Sequence, residues 1–380
     1  MPRQLRPTSF EAAAAALSGA AAAGESVRLI GGASKLAWGT PDPGPDVELR
    51  TAVLDQIVEH NAGDLTAVIQ AGVPLARAQE SFAAAGQMLA LDPWLGSERQ
   101  ATLGGILATA DSGPLRHRYG APRDLIVGMT VALSDGTIAR SGGKVIKNVA
   151  GYDLAKLFCG SFGTLGLILA VNVRLHPLPE QTATTVGVSG DPTQLAGAGH
   201  TLSAAPLELE ALDLAWRSGR GGLLAQCGGA AALHRAKRVA ELLRQAGLQD
   251  VQTVSEDAEL WARQRAGQRS PDQALVRVSA RPSSLGAVLR ATEDRAGTLV
   301  GRAALGISFV ELEPAAVDGF VATLPTGAHA VLLDAPGELR ARCDVWGATT
   351  GAGGLELMRR VKARFDPAHA CNPGVYVGGI

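Results

Sequence analysis

Between Leu89 and Pro179 the chain carries four short segments that are rich in glycine and flanked by apolar residues. Because glycine has no Cβ, such segments let the backbone pass very close to another group. The segments are Ala101–Gly105 (ATLGG), Arg118–Gly120 (RYG), Gly142–Lys144 (GGK) and Gly160–Gly166 (GSFGTLG). Their succession within one stretch predicts a binding site for a large flat ligand with a polyphosphate tail.

Chain length and net charge limit the number of domains and the classes of ligand that are expected. A chain of 380 residues is long for one hydrophobic core, so two domains are expected. Hydrophobic residues make up 46% of the chain and charged residues 19%, which is ordinary for a globular protein. A formal net charge of -1 supplies no basic stripe to neutralise phosphates and argues against nucleic-acid binding.

The sequence predicts a cytoplasmic protein. No apolar run approaches the ~20 residues that a membrane-spanning helix needs. The alanine-rich stretch from Ala12 to Ala23 is interpreted as a helix and not as a signal peptide, because Glu11 and Glu25 flank it. The cysteines are far apart and form no C-x-x-C pair, which excludes an obvious zinc or iron–sulfur site and fits a reducing compartment. They are Cys159, Cys227, Cys343 and Cys371.

The N-terminal part predicts an anion-binding loop. Thr8–Glu11 matches a capping box that starts the alanine-rich helix, and Gly24 ends it. The strand Val27–Ile30 then runs into Gly31–Lys35 (GGASK), which can present backbone N–H groups to an anion. The loop contains neither the G-x-G-x-x-G of a dinucleotide fold nor the G-x-x-x-x-G-K-[ST] of a P-loop. Both of those nucleotide-binding classes are therefore excluded here.

Short strands and helices alternate through the first half, which indicates an α+β domain. Ser134–Thr137 carries the D-G signature of a hairpin turn. Apolar residues alternate from Leu165 to Leu175, so a strand follows the last glycines, whereas in a Rossmann unit the glycines lead into a helix. The predicted strands are 46–59, 65–71, 87–91 and 125–133, and the predicted helices are 75–85 and 154–158.

The second half predicts an antiparallel sheet covered by helices, over Thr182 to about Ala341. The punctuation Pro177-Leu178-Pro179 marks its start. The predicted strands are 208–216, 223–227, 251–254 and 275–279, and the predicted helices are 230–246 and 257–265.

In this order the motifs resemble those of the vanillyl-alcohol oxidase superfamily, whose flavin-binding domain is of the PCMH type. Its members carry a Gly-Gly pyrophosphate loop, a T-x-G-G turn, an R-Y-G corner, a D-G hairpin and a G-S-x-G-T-L-G segment. Phe365–Pro367 (FDP) and Asn372–Gly374 (NPG) resemble the tail with which such chains return to the flavin domain. The segment from Lys147 to Phe158 is similar to the E-subunit family of bacterial glycolate oxidases.

The resemblance implies an α+β fold with a two-subdomain PCMH-type FAD-binding domain over 1–180. A smaller antiparallel-sheet cap domain over 181–345 follows, and a C-terminal helix and tail over 346–380 return to the FAD domain. The cofactor would be noncovalent FAD, because the pyrophosphate loop contains no histidine. The implied cofactor-binding residues are Gly31, Gly32, Ala33, Ser34, Lys35, Leu36, Ala101, Thr102, Leu103, Gly104, Gly105, Ser112, Gly113, Gly163, Gly166, Ile168 and Asn372.

The resemblance also implies a function and partners. The chain would be an FAD-binding subunit of a glycolate oxidase complex, in which a 2-hydroxy acid loses a hydride from its α-carbon to the flavin. A larger FAD-containing subunit and an iron–sulfur subunit would be its partners. Any membrane association would be peripheral and through that complex.

Two departures weaken the case for independent catalysis. Related catalytic chains often have Glu in G-S-E-G-T-L-G, where this chain has Phe162. They also carry histidine pairs for a divalent metal, whereas the histidines here are scattered, and no metal site is expected. Arginines are the other candidates for binding a substrate carboxylate. Trp261 and Arg265, four residues apart on one helical face, are the catalytic candidates.

Two further functions stay open on the sequence. The chain could be a self-sufficient FAD-dependent 2-hydroxyacid dehydrogenase of the D-lactate type. It could also be a noncatalytic flavin-binding scaffold that stabilises its partners.

Overall fold

The computed structural model describes residues 1–41, 44–143, 153–347 and 351–380, except for the side chain of Ala352. The described residues form two compact units. The first unit comprises Met1–Ser112, Tyr119–Leu178 and the described part of Thr349–Ile380. The second comprises Gly113–Arg118 and the described part of Pro179–Ala348.

The α-helices of the described chain are short to medium in length. In chain order they are α1 (Phe10–Ala22), α2 (Leu75–Ala83), α3 (Leu103–Thr109), α4 (Arg116–Tyr119), α5 (Ala155–Phe158), α6 (Pro192–Ala204), α7 (Ala232–Gln245), α8 (Ala258–Ala266), α9 (Leu285–Glu293), α10 (Val317–Thr323), α11 (Gly337–Arg342) and α12 (Ala352–Phe365).

The strands divide between the two units, with β1 to β10 in the first and β11 to β18 in the second. In chain order they are β1 (Arg3–Leu5), β2 (Val27–Ile30), β3 (Val47–Arg50), β4 (Ile57–Asn61), β5 (Thr66–Gln70), β6 (Gln87–Met88), β7 (Ile126–Ala132), β8 (Ile138–Gly142), β9 (Leu167–Arg174), β10 (His176–Pro177), β11 (Thr182–Ser189), β12 (Ala211–Arg217), β13 (Arg220–Gly228), β14 (Gln249–Val254), β15 (Ala274–Ser279), β16 (Thr298–Arg302), β17 (Ile307–Leu312) and β18 (His329–Asp334).

The first unit has two hydrophobic cores. A parallel sheet in the order β1-β3-β2 packs against α1, where Ala13 and Leu17 meet Val47. An antiparallel sheet in the order β4-β5-β9-β7-β8 encloses the second core, to which Phe82 and Val171 contribute. The predicted two-subdomain α+β architecture is therefore confirmed in the first unit.

Two local predictions from the sequence can be compared with this unit. The D-G hairpin turn is confirmed: it joins β7 to β8, and Asp135 Oδ1 accepts a hydrogen bond from Thr137 N at 2.8 Å. The N-cap of α1 was predicted at Thr8, but it is Ser9, whose hydroxyl accepts from Ala12 N at 3.1 Å.

The single strand predicted over 46–59 was wrong. The chain forms β3 and β4 there, separated by a turn. In that turn Leu54 N donates to Thr51 O at 2.8 Å, and Thr51 N donates back to Ile30 O at 2.9 Å. These backbone bonds bend the chain away from the first sheet and start the second one.

The C-terminal tail packs on the first unit. Val27 N donates to Ala370 O at 2.8 Å and Asn372 N donates to Val27 O at 2.9 Å, so the tail pairs in parallel with β2. A buried ion pair between Lys362 and Asp366 fixes the start of the tail, with Nζ and Oδ2 2.5 Å apart. Both side chains are almost completely buried.

Lys362 and Asp366 also form hydrogen bonds with the backbone around them. Lys362 Nζ also donates to the carbonyls of Thr164 at 2.7 Å and Cys371 at 2.9 Å. Asp366 accepts from the N–H of Cys371 at 2.9 Å. Burial alone would raise the pKa of Asp366, but the hydrogen bonds from Lys362, Ser134 and Cys371, together with the Lys362 charge, outweigh burial and lower the pKa. The aspartate of the F-D-P motif is therefore an ionised anchor for the tail.

The second unit is one eight-stranded antiparallel sheet in the order β14-β11-β13-β12-β16-β17-β15-β18. Leu195 of α6, Val239 of α7 and Leu289 of α9 are buried in this unit. The predicted antiparallel sheet with helices is confirmed. No helix in the part of the chain that is described has the length and apolarity to cross a membrane.

We predict that Lys362→Met destabilises the protein by about 3–5 kcal/mol, because it leaves the Asp366 carboxylate buried without its partner. Chemical denaturation of the purified chain measures the loss. The matched control is Lys156→Met, which breaks the exposed pair of Lys156 with Asp153 and should cost no more than about 1 kcal/mol. Equal losses in the two variants would contradict the anchoring role.

Candidate functional site

The Gly31-Gly32 turn after β2 packs directly against the segment that precedes α3. A Cβ on Gly31 would collide with the Thr102 hydroxyl, and a Cβ on Gly32 would collide with the Gln100 carbonyl. Glycine is therefore needed at both positions because the two backbone segments contact each other, whether or not a ligand is bound. This contact brings the predicted pyrophosphate loop and the T-x-G-G turn together.

Thr102 connects the two segments through its side chain. It is the N-cap of α3, and its Oγ1 accepts from Gly105 N at 3.4 Å and from Gly32 N at 3.3 Å. Gly104 lies against the preceding element, where a Cβ would come within 2.8 Å of the Ala71 Cβ. The T-x-G-G turn is thus the point at which the loop after β2, the start of α3 and the end of β5 meet.

The G-S-F-G-T-L-G segment joins the same region through α3. Gly160 N donates to Leu107 O at 2.9 Å and Phe162 N donates to Ala108 O at 2.8 Å. Phe162 and Gly163 both have positive φ, of 54° and 71°. Three glycine-rich segments that are far apart in the sequence therefore converge around α3.

The loop offers backbone donors that fit an anion. Ala33 has a φ of 59°, in the left-handed region. Among the residues that the structure describes, no protein group accepts from the N–H groups of Ala33, Lys35 and Leu36. Successive N–H groups around a left-handed residue form concavities that bind anions. The donor set of this loop therefore fits the pyrophosphate of a dinucleotide.

The Lys35 ammonium does not add a donor for this anion, because it is paired with a carboxylate of the protein. Its Nζ lies 3.1 Å from Asp111 Oδ2, and both side chains are buried, with 5% exposed. Asp111 was not among the residues predicted from the sequence. The sequence feature that could have indicated Asp111 is its position as a lone acidic residue in an apolar segment, directly before Ser112 and Gly113.

Asn372 lies at the site, but its side chain is used within the protein. Its Oδ1 accepts from Leu29 N at 2.8 Å, and its Nδ2 donates to Phe162 O at 2.6 Å. A Cβ on Gly163 would come within 2.7 Å of that Nδ2. Asn372 therefore fixes the end of β2 to the Phe162 turn.

The remaining predicted cofactor residues occupy varied environments. Ala101, Leu103 and Ile168 are buried apolar residues of the first unit, and Ser112 is a buried polar one. Ser34 is partly buried and Leu36 is exposed. Gly166 has a φ of 150°, and a Cβ there would come within 2.7 Å of Ala132 O. Gly113 groups with the second unit. Lys144 of the G-G-K motif and residues 147–152 of the 147–158 motif lie outside the described residues.

The catalytic candidates of the sequence lie on α8 in the second unit. Trp261 is buried beside Ala211 and Leu224, and its Nε1 donates to Thr184 Oγ1 at 2.8 Å. Arg265 is partly buried and its charge acts on Asp213. The surroundings of Trp261 are those of a core side chain.

A buried charged cluster lies near these candidates. Arg302 Nη1 lies 2.8 Å from Asp213 Oδ2, and both side chains are buried, with 1% and 0% exposed. The two residues pair across β12 and β16, and Gln264 Nε2 donates to the same oxygen at 3.3 Å. Burial raises the pKa of Asp213 to about 6, although the charge of Arg302 opposes the shift. The sequence indicated arginines in this region but not the carboxylate that holds one of them.

Two family models match parts of this chain. Residues 3–142 match the family model of the FAD binding domain. Residues 342–376 match the model of the C-terminal domain of FAD linked oxidases. The chain is thus related to the PCMH-type FAD-linked oxidases, and its cofactor is FAD.

Curated relatives share parts of this chain. It is 42% identical over 139 residues to glycolate oxidase subunit GlcD of Bacillus subtilis, covering 36% of this chain and 28% of that protein. It is 35% identical over 151 residues to glycolate oxidase subunit GlcE of Escherichia coli, covering 40% and 42%. It is 33% identical over 173 residues to a D-lactate dehydrogenase of Archaeoglobus fulgidus, covering 46% and 38%. The chain therefore spans less than half the length of each of these relatives.

Solved structures share the fold over nearly the whole chain. An alkyldihydroxyacetonephosphate synthase superposes with a TM-score of 0.71 at 15% identity, covering 97% of this chain and 76% of that one. A glucooligosaccharide oxidase of Acremonium strictum gives 0.70 at 15% identity, covering 99% and 91%. These likenesses establish the architecture.

We predict that Gly32→Ala weakens FAD retention by about tenfold or more, because the added methyl group forces the loop away from Gln100. Fluorescence titration of FAD into the apoprotein measures this. The matched control is Gly63→Ala, at a position where a Cβ meets nothing within 4 Å. A wild-type dissociation constant in Gly32→Ala would show that this contact does not position the loop.

We predict that Asp213 makes stability depend on pH in one window. Folded Asp213 holds its proton up to about pH 6, whereas the ordinary pKa is 3.8. Its stabilising contribution is therefore complete below about pH 4 and is lost as the pH rises through about 6. Melting temperatures of the wild type and Asp213→Asn, compared from pH 4 to 7, should diverge across this window. Asp250→Asn, an exposed control in the same unit, should follow the wild type.

Proposed function

We propose that this chain is an FAD-binding subunit of a complex that oxidises glycolate to glyoxylate. The observation that carries the proposal is the flavin-binding glycine cluster on a chain similar to two glycolate oxidase subunits. When bound, FAD supplies an acceptor for the two electrons that leave the hydroxy acid.

The chain's own residues would hold and orient the cofactor. The backbone N–H groups of Ala33, Lys35 and Leu36 would bind the pyrophosphate, with no covalent bond to the flavin. Gly104 and Gly105 would let the backbone run beside the ribityl chain and ring. The buried apolar β9, which includes Ile168, would exclude water from the opposite side.

The proposed partners are a larger FAD-containing subunit and an iron–sulfur subunit, through which electrons would leave. The matched region of GlcE supports an assignment to the E-subunit position. We place the complex in the cytoplasm, with any contact to the membrane being peripheral.

A self-sufficient dehydrogenase for D-lactate-type hydroxy acids is the second candidate. The similarity to the D-lactate dehydrogenase of Archaeoglobus fulgidus favours it. In that case the isolated chain would oxidise its substrate without partners.

The purified chain is expected to be yellow and to release FAD on acid or heat treatment. Anaerobic addition of glycolate or D-lactate then separates the two candidates by the flavin absorbance. Under the complex-subunit proposal the isolated chain stays yellow, and the flavin bleaches only after assembly with its partner subunits. Bleaching of the isolated chain would favour the self-sufficient enzyme, and a colourless chain that refuses FAD would contradict both.

A further inference from the structure

Lys35 lies inside the loop that we propose for the FAD pyrophosphate, yet its ammonium is buried. Its Nζ lies 3.1 Å from Asp111 Oδ2 and 3.3 Å from the carbonyl oxygen of Trp94. Ser34 Oγ is 3.5 Å away, and the ring centroid of Trp38 is 5.8 Å away. The charge is therefore enclosed by protein on several sides.

The donors of this ammonium are all directed to protein oxygens. A lysine ammonium has three N–H donors and accepts no hydrogen bonds. Its three oxygen neighbours are the Asp111 carboxylate, the Trp94 carbonyl and the Ser34 hydroxyl. A phosphate could be bound by this ammonium only after one of these contacts was broken.

The pair joins segments that are remote in the sequence. Lys35 belongs to the loop after β2, and Asp111 follows α3, where its N–H donates to Ile106 O at 3.2 Å. Trp94 adds the loop that precedes Thr102. One ammonium thus connects the loop after β2, the loop before Thr102 and the segment after α3.

We propose that Lys35 and Asp111 form a neutral brace that holds these segments in their FAD-binding arrangement before FAD arrives. Lys35 is then a positioning residue and its side chain is not a phosphate ligand. The inference rests on the proposed FAD site and adds to it the pair that shapes it.

The brace has a distinctive consequence for substitution. Removing Lys35 alone leaves a buried carboxylate that is unpaired and repels the anionic pyrophosphate. Removing the charge of Asp111 alone leaves a buried ammonium without its counter-ion. Removing both charges leaves a neutral interior, and neutral replacement of a buried ion pair is often tolerated where loss of one partner is not.

The experiment compares the wild type with Lys35→Met, Asp111→Asn and the double variant. The dissociation constant of FAD and the melting temperature of the apoprotein are measured for each. We expect each single variant to bind FAD at least about tenfold more weakly and the double variant to recover to within about threefold of the wild type. Arg77→Met, which breaks the exposed pair with Asp55, is the matched control and should match the wild type.

A direct phosphate contact by Lys35 gives the opposite pattern. Asp111→Asn would then bind FAD more tightly, and the double variant would be as weak as Lys35→Met. Either result overturns the brace, as does a lower melting temperature with unchanged FAD affinity. If Lys35→Met does not fold, weaker binding by Asp111→Asn with recovery in the double variant supports the brace. A wild type that does not bind FAD would instead overturn the proposed function itself.

Discussion

The close contact of the Gly31-Gly32 backbone with Gln100 and Thr102 determines the rest of the site. A side chain at either glycine would meet a carbonyl or a hydroxyl of the opposite segment, so the two backbones approach as closely as glycine allows. That approach places the left-handed turn at Ala33 beside the N-terminus of α3. The polar donors proposed for FAD are thus produced by packing within the protein before any ligand is present.

The C-terminal tail completes this arrangement from the other end of the chain. Asn372 joins the end of β2 to the turn at Phe162, and Lys362, paired with Asp366, connects Cys371 of the tail to Thr164. The N-P-G and F-D-P motifs therefore support the loops of the proposed cofactor site. Their long-range hydrogen bonds explain why a tail so far along the chain belongs to the first unit.

The sequence predicted the elements of the fold where the signal is local. The glycine segments, the D-G hairpin and the alternating strand after Gly166 were each readable from a few neighbouring residues. Long-range pairing was not readable in this way. Nothing near Lys35 indicates that its partner is Asp111, and nothing near Trp261 indicates that its indole donates to Thr184 in the core. The proposed donors at Ala33 and Leu36 depend on backbone angles that the residue types alone do not determine.

A crystal structure of the protein with FAD tests this account most directly. We expect the pyrophosphate oxygens to lie within hydrogen-bond distance of the backbone N–H groups of Ala33, Lys35 and Leu36, with the Lys35 ammonium still paired to Asp111. A pyrophosphate bound away from this loop, or a Lys35 ammonium turned from Asp111 to the phosphate, would contradict it.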